Sequence, residues 1–342
     1  MHRRALFRSL GATGIAFALP ACTAAGSRPM PLALADFRPI VTGLDKAEGI
    51  AIADDGRLFL SNGKSAILIR DPDGTLRPIG SPSGVNGVAL DRQGRVILAN
   101  FGLLTDTPGS LQRLDPVTGA LETLADAIGG RRLVASNFPV LARDGSLYCT
   151  HSTWSEPARI GTTIPAGFVY RVAPDGTVDL VAGGLRGANG CCLDRAEKYL
   201  YVALTAAGRI VRLPRRADGS LGPAENFGPV LGDVTPDALF QDILKLDAAA
   251  QARLGYPDGL AFDAADNLWI TLPFANKLVM LTPSGRLVEM LHDPAGTVLN
   301  RPTNLAWGGP GRRDLHVVSR GTGSIIRART PVAGLALAHQ AG

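Results

Sequence analysis

Six positions in this 342-residue chain pair an oxygen-bearing side chain with a following glycine or apolar residue. They are Glu48-Gly49, Asn86-Gly87, Asn137-Phe138, Asn189-Gly190, Asp258-Gly259 and Asn304-Leu305. The side chains are two carboxylates and four amides, with no thiol among them. Gathered round one opening, such a set suits a hard cation such as calcium or magnesium far better than zinc. Carboxylates held close together repel unless one is protonated or a cation lies between them. A site with few protein ligands also leaves coordination places for water and substrate, as catalytic metal sites do. Asn and Gly serve turns as well, and Asn86 and Asn304 read as turn residues. Glu has no such merit, so Glu48 and Asp258, standing where the repeat otherwise has Asn, carry the case for chemistry.

Each pair opens the same unit: about three apolar positions, a turn, then a second apolar run. The turn ends eight residues after the polar residue, at Gly56, Gly94, Gly145, Glu197, Asp266 and Arg312. A hairpin follows in most copies, around Pro72-Asp73-Gly74, Asp115-Pro116-Val117-Thr118-Gly119, Pro174-Asp175-Gly176 and Pro283-Ser284-Gly285. Gly accepts the positive φ that such turns demand. Successive polar residues lie 38, 51, 52, 69 and 46 positions apart, and a four-stranded propeller blade takes about 40–45 residues. The spacing therefore predicts an all-β fold, a six-bladed β-propeller spanning 36–342. Its last blade lacks a clear fourth strand, whereas Phe37-Arg38-Pro39-Ile40-Val41 resembles the fourth strands elsewhere. The N-terminal strand is thus expected to close the ring and remove exposed sheet edges. Propeller geometry then sets the six polar residues round one mouth of the central channel. Two insertions, His151 to Gly167 and Leu231 to Pro257, are expected to overhang that mouth as a lid. The second is predicted to be helical over Ala238 to Leu254, after a helix start at Thr235-Pro236-Asp237.

Ahead of the propeller, residues 1–21 read as a signal peptide, with a basic start (Arg3, Arg4, Arg8) and a short apolar run from Gly11 to Leu19. Leu19-Pro20-Ala21-Cys22 reads as a lipoprotein cleavage box, with Cys22 the lipidated first residue and 22–35 a tether. The chain is accordingly expected to be exported to the periplasm or cell envelope and to meet the membrane only through a lipid anchor. The net charge of +5 falls to +2 without the three leader arginines, which gives no reason to propose a nucleic-acid partner. Cys149, Cys191 and Cys192 lie in apolar runs, and their pairing is left open. No G-x-S-x-G elbow, H-E-x-x-H pair or phosphate loop occurs. Of the five histidines, His151 alone lies near the expected mouth, where it could contact substrate.

These motifs, in order, resemble the senescence-marker-protein/gluconolactonase (regucalcin-like) family of six-bladed, calcium- or zinc-dependent lactonases and related esterases. The resemblance covers roughly Phe37 to Arg329. The family's metal ligands are a Glu in an "EG" pair, an Asn in an "NG" pair and an Asp in a "PDG" triplet. Glu48-Gly49, Asn189-Gly190 and Pro257-Asp258-Gly259 match these, and Asn137 matches an Asn that lines the substrate pocket. The resemblance implies a divalent metal, calcium foremost with magnesium, manganese or zinc as alternatives, that polarises a lactone or ester carbonyl while Asp258 deprotonates water. Phe138-Pro139 and Cys149-Thr150-His151 depart from the family's Asp-Gly and "FTD" patterns, suggesting a more apolar pocket wall. The competing reading is a non-catalytic propeller that binds a protein, peptide or glycan through the same mouth.

Overall fold

Every repeat folds as a four-stranded antiparallel sheet, with its strands in chain order in the first five. The computed structural model describes residues 30–81, 84–104, 106–153 and 162–340. The expected leader 1–21, Cys22 and most of the tether lie outside the described residues. The innermost strands are Ile50–Ile52, Val85–Leu90, Ser136–Leu141, Ala188–Leu193, Leu260–Phe262 and Pro302–Gly308. The N-terminal strand Arg38–Val41 supplies the fourth strand of the last sheet by pairing antiparallel with Ser324–Arg329, with Arg38 opposite Arg327. The chain is a six-bladed propeller closed as its sequence predicts.

The turn after each innermost strand demands one backbone conformation in all six blades. The residue eight places after the polar one is left-handed each time: Gly56 (φ 87°), Gly94 (75°), Gly145 (91°), Glu197 (52°), Asp266 (60°) and Arg312 (50°). Gly takes this conformation freely, whereas a residue with a Cβ does so at some cost. Asp at the end of the preceding strand compensates by wrapping the turn. Asp91 accepts from the Gln93 and Arg95 amides, and Asp263 from those of Ala265 and Asn267.

A blade cannot bury its two faces alone, so the core lies between blades. One apolar cluster fills each gap; that between the fourth and fifth joins Cys192, Tyr201, Ile210 and Phe227 to Leu260, Phe262 and Ile270. Tyr201 meets Phe227 and Phe262 edge-on at 5.1 and 5.0 Å. Covered on both faces, second strands such as Val96–Asn100, Leu147–His151 and Leu268–Leu272 are buried at every residue, which explains their continuous apolar runs. Each large side chain buried this way contributes about 1.5–3 kcal/mol. The three cysteines are free and buried, and burial pushes the Cys149 thiol up to about 12. They are packing residues.

Innermost strands surround an apolar cavity of about 90 Å³ within the channel. The C-terminal residues Leu335, Leu337 and Ala338 line it, and the His339 ring sits 3.1 Å from the Ile52 carbonyl. No helix among the described residues is long and apolar enough to cross a membrane.

Candidate active site at the channel mouth

Glycine follows the polar residue in four blades, and at all four the cause is close approach by the next blade. A Cβ on Gly49, Gly87, Gly190 or Gly259 would lie 2.5, 2.4, 2.3 or 2.6 Å from the backbone oxygen of Asn86, Asn137, Asp258 or Thr303. The backbone joins across two of these gaps, Gly190 N–H donating to the Asp258 carbonyl at 3.1 Å and Gly259 N–H to that of Thr303 at 2.9 Å. The pair is therefore a contact between blades as well as the start of a strand. Its side chains are placed by the packing of the ring.

Hydroxyl groups at or just past the ends of second strands complete the scaffold, and the sequence reading missed them. Thr150 donates to the Asn189 carbonyl at 2.6 Å, Thr205 to that of Pro257 at 2.7 Å, and Thr271 to that of Thr303 at 3.1 Å. Thr303 in turn donates to the Glu48 carbonyl at 3.1 Å and closes the ring between the sixth and first blades. Ser61 accepts from both the Glu48 and Gly49 amides. A Ser or Thr thirteen to sixteen residues after the polar residue in five of the six repeats was the available signal.

The expected ligands Asn189 and Asp258 come together. Asn189 Nδ2 donates to Thr205 Oγ1 at 3.0 Å, which fixes the amide. The Gly190–Asp258 backbone bond sets Asn189 beside Asp258, close enough for its amide to favour the ionised carboxylate. Asp258 keeps intermediate accessible surface although protein surrounds it, as befits a group reached down a narrow channel. Burial pushes its carboxyl up to about 7, against the opposing effect of the Asn189 amide. No basic side chain forms an ion pair with it among the described residues.

Glu48 stands differently. Its carboxylate is ion-paired with the guanidinium of Arg320, the residue after the strand Asp314–Ser319. Nothing in the repeat pointed to Arg320, because no other blade has a Lys or Arg just after the second-strand hydroxyl or Asn100.

Asn137 and His151 lie within the wall. Asn137 is 5% exposed; its Nδ2 donates to Ser152 Oγ at 2.9 Å and its Oδ1 accepts from Asn86 Nδ2 at 3.0 Å. Its amide joins neighbouring blades in this structure. His151 is fully buried as the last residue of its strand, not exposed at the mouth as its sequence position suggested. Its Nε2 accepts from the Val134 and Ala135 amides at 3.2 and 3.0 Å, and its ring stacks on Phe168 at 4.3 Å. Burial, with Arg131 nearby, lowers its pKa to about 3. A neutral imidazole held this way is a support, and a direct substrate contact from it is not available here.

The two insertions meet at one end of the propeller. Asp237 accepts from the Thr163 amide at 3.1 Å and from its hydroxyl at 3.2 Å. Arg186 donates to the carbonyls of Thr162 and Ala206, next to the Thr205 that holds Asn189. The expected continuous helix is instead two short ones, Phe240–Leu244 and Ala248–Gln251, because Asp247 caps a new start by accepting from the Ala250 amide at 2.7 Å. Asp237 starts no helix; it is left-handed (φ 53°) and turned to Thr163.

Among the described residues no three His, Cys, Asp or Glu side chains gather as a metal-binding group. The candidate donors are the Glu48 and Asp258 carboxylates and the Asn189 amide, all of them hard oxygens. That chemistry fits a divalent hard cation, as does the burial of the Asp258 carboxylate with no basic side chain paired to it among the described residues.

The family model described as the SMP-30/Gluconolactonase/LRE-like region matches residues 46–321. A gluconolactonase of Zymomonas mobilis subsp. mobilis is 24% identical over 270 residues, 77% of this chain and 69% of that one. A 6-deoxy-6-sulfogluconolactonase of Pseudomonas putida is 24% identical over 153 residues, 45% of each chain. Among solved structures, a gluconolactonase from Xanthomonas campestris superposes with TM-score 0.67 at 21% identity, over 90% of this chain and 96% of that one. A calcium-binding protein, regucalcin, from Agrobacterium tumefaciens superposes with TM-score 0.66 at 19% identity, over 89% and 96%. With 46–321 matched to the family model and a six-bladed propeller around the mouth, this chain belongs to the SMP-30/gluconolactonase/LRE-like family.

Proposed function

We propose that this chain is an exported, metal-dependent hydrolase of lactones or related esters, working at the channel mouth. The observation that carries the proposal is the Asn189–Asp258 pair, with a carboxyl raised to about 7 in a family of lactone hydrolases. Glu48, Asn189 and Asp258 would hold the divalent ion, calcium foremost, whose Lewis acidity would polarise the substrate carbonyl when bound. Asp258 takes the proton of the attacking water as general base. Asn189, held by Thr205, keeps the Asp258 carboxyl oriented. Asn86 and Asn137, hydrogen-bonded to each other, brace the second blade against the third, and Phe138 gives the channel an apolar lining. Export and a lipid anchor at Cys22 rest on the leader sequence; Cys22→Ser should release the protein from the membrane fraction.

The test is hydrolysis of a panel of lactones and aryl esters by wild type and Asp258→Asn. The variant should retain the fold and lose most turnover. Equal rates in the two would sink the mechanism and leave the mouth as a binding surface for a protein, peptide or glycan.

A further inference from the structure

We propose that Arg320 is the internal counter-cation of the mouth: it holds the Glu48 carboxylate when no divalent ion is bound and competes with that ion for it. This rests on the metal reading above and adds to it a residue that sets the ion concentration at which the site fills.

Arg320 is placed for the task by the sixth blade. It opens the turn Arg320–Thr322, with its amide donating to the Arg301 carbonyl and its carbonyl accepting from the Gly323 amide at 3.0 Å. The residues matching it in the other blades are Asn62, Phe101, His151, Ala206 and Leu272, none a permanent cation. Its guanidinium pairs with Glu48, at 34% and 19% side-chain exposure respectively. Burial works against the charge, and the Asp45 carboxylate offsets part of that cost. A guanidinium in this setting cannot shed its proton to escape, so it must keep an anionic partner.

A divalent ion needs the same carboxylate oxygens. It and the guanidinium repel each other, so filling the site requires Arg320 to give up Glu48 wholly or in part. Arg320 thus holds Glu48 without the ion and releases it, wholly or in part, when the ion binds. Each cation lowers the affinity of the other for Glu48, and that coupling is reciprocal.

The experiment is calorimetric titration of EDTA-treated full-length protein with manganese and with calcium. Wild type, Arg320→Gln, Arg320→Lys and Glu48→Gln/Arg320→Gln are compared. Arg320→Gln should bind the ion about tenfold tighter or more, a coupling of ordinary size. The gain should vanish when Glu48 is also Gln. Arg320→Lys, which keeps a cation with fewer donors, should fall between wild type and Arg320→Gln; it serves as the test if the Gln variant does not fold. Unchanged or weaker binding in both Arg320 variants, with wild type binding normally, overturns the inference and leaves the metal reading intact. Absence of binding in wild type and every variant overturns the metal reading and this inference together.

Discussion

Glu48 and Asp258 occupy the same place in their repeats, yet the molecule treats them in opposite ways. Glu48 is ion-paired with Arg320 and anchored by Ser61 and Thr303. Asp258 is held through neutral partners, an Asn189 side chain and a backbone bond to Thr271, and burial raises its carboxyl to about 7. A ring built from repeats thus contains one carboxylate already neutralised and one that lacks a countercharge. The lesson concerns division of labour. A base must be able to take up a proton near neutral pH, and the carboxyl that burial raises to about 7 is suited to that. The ion-paired one is suited to holding a cation.

Four substitutions sharpen or break this contrast. The largest effect should come from Asp258→Asn, which removes the base while leaving an oxygen for coordination: turnover should fall by about 10²–10⁴-fold, measured by steady-state hydrolysis. Glu48→Gln comes next and acts differently. It removes a full charge from the ion site and leaves the Arg320 guanidinium without its partner. Ion affinity should drop, and urea denaturation should show a loss of about 1–2 kcal/mol after allowing for partial exposure. Asp258→Asn should not show that loss. If both substitutions destabilise the protein alike, the two carboxylates are equivalent and the contrast fails.

Thr271→Val should follow, at about 1–3 kcal/mol, because it deprives the Gly259 amide and the Thr303 carbonyl of a shared hydroxyl. The smallest effect should be at Asp237→Ala, which unlatches the two insertions from each other. It should alter KM for bulky substrates more than the melting temperature, whereas a purely structural contact would alter only the melting temperature.

Melting against pH without metal separates Asp258 from the buried histidines. The folded-state pKa of Asp258 is raised above its ordinary 3.8, so its contribution is fully present below about 4 and is lost as pH climbs through about 7. His151 and His316 have the reverse sign. Buried and neutral, they fall to about 3 and about 4, so their contribution is present above 6.5 and lost as pH drops towards those values. Asp258→Asn should flatten the upper limb by several degrees and leave the acid limb unchanged. Loss of the acid limb in that variant would contradict the assignment.

Much of this was legible in the sequence because a propeller repeats itself. Left-handed turns eight residues after each polar position, Pro-Asp-Gly hairpins and an N-terminal strand resembling the fourth strands all leave local marks. So did Glu48 and Asp258, which break a pattern. His151 misled because its neighbourhood in the chain is an insertion, whereas in space it ends a strand covered on both faces. Arg320 was invisible for a related reason. It lies 272 residues beyond Glu48, and only ring closure brings the sixth blade against the first. The Thr271 and Thr303 hydroxyls were overlooked because each spans two blades, and a repeat read one unit at a time does not show what joins it to the next.

The central claim is that Glu48, Asn189 and Asp258 together hold one divalent ion. Anomalous diffraction from crystals of the EDTA-treated protein soaked in manganese tests it most directly. The account predicts a single strong peak at the mouth within coordination distance of oxygens from all three side chains, with the Arg320 guanidinium displaced from Glu48. A mouth without a peak, and Arg320 still seated on Glu48 at saturating manganese, would contradict it.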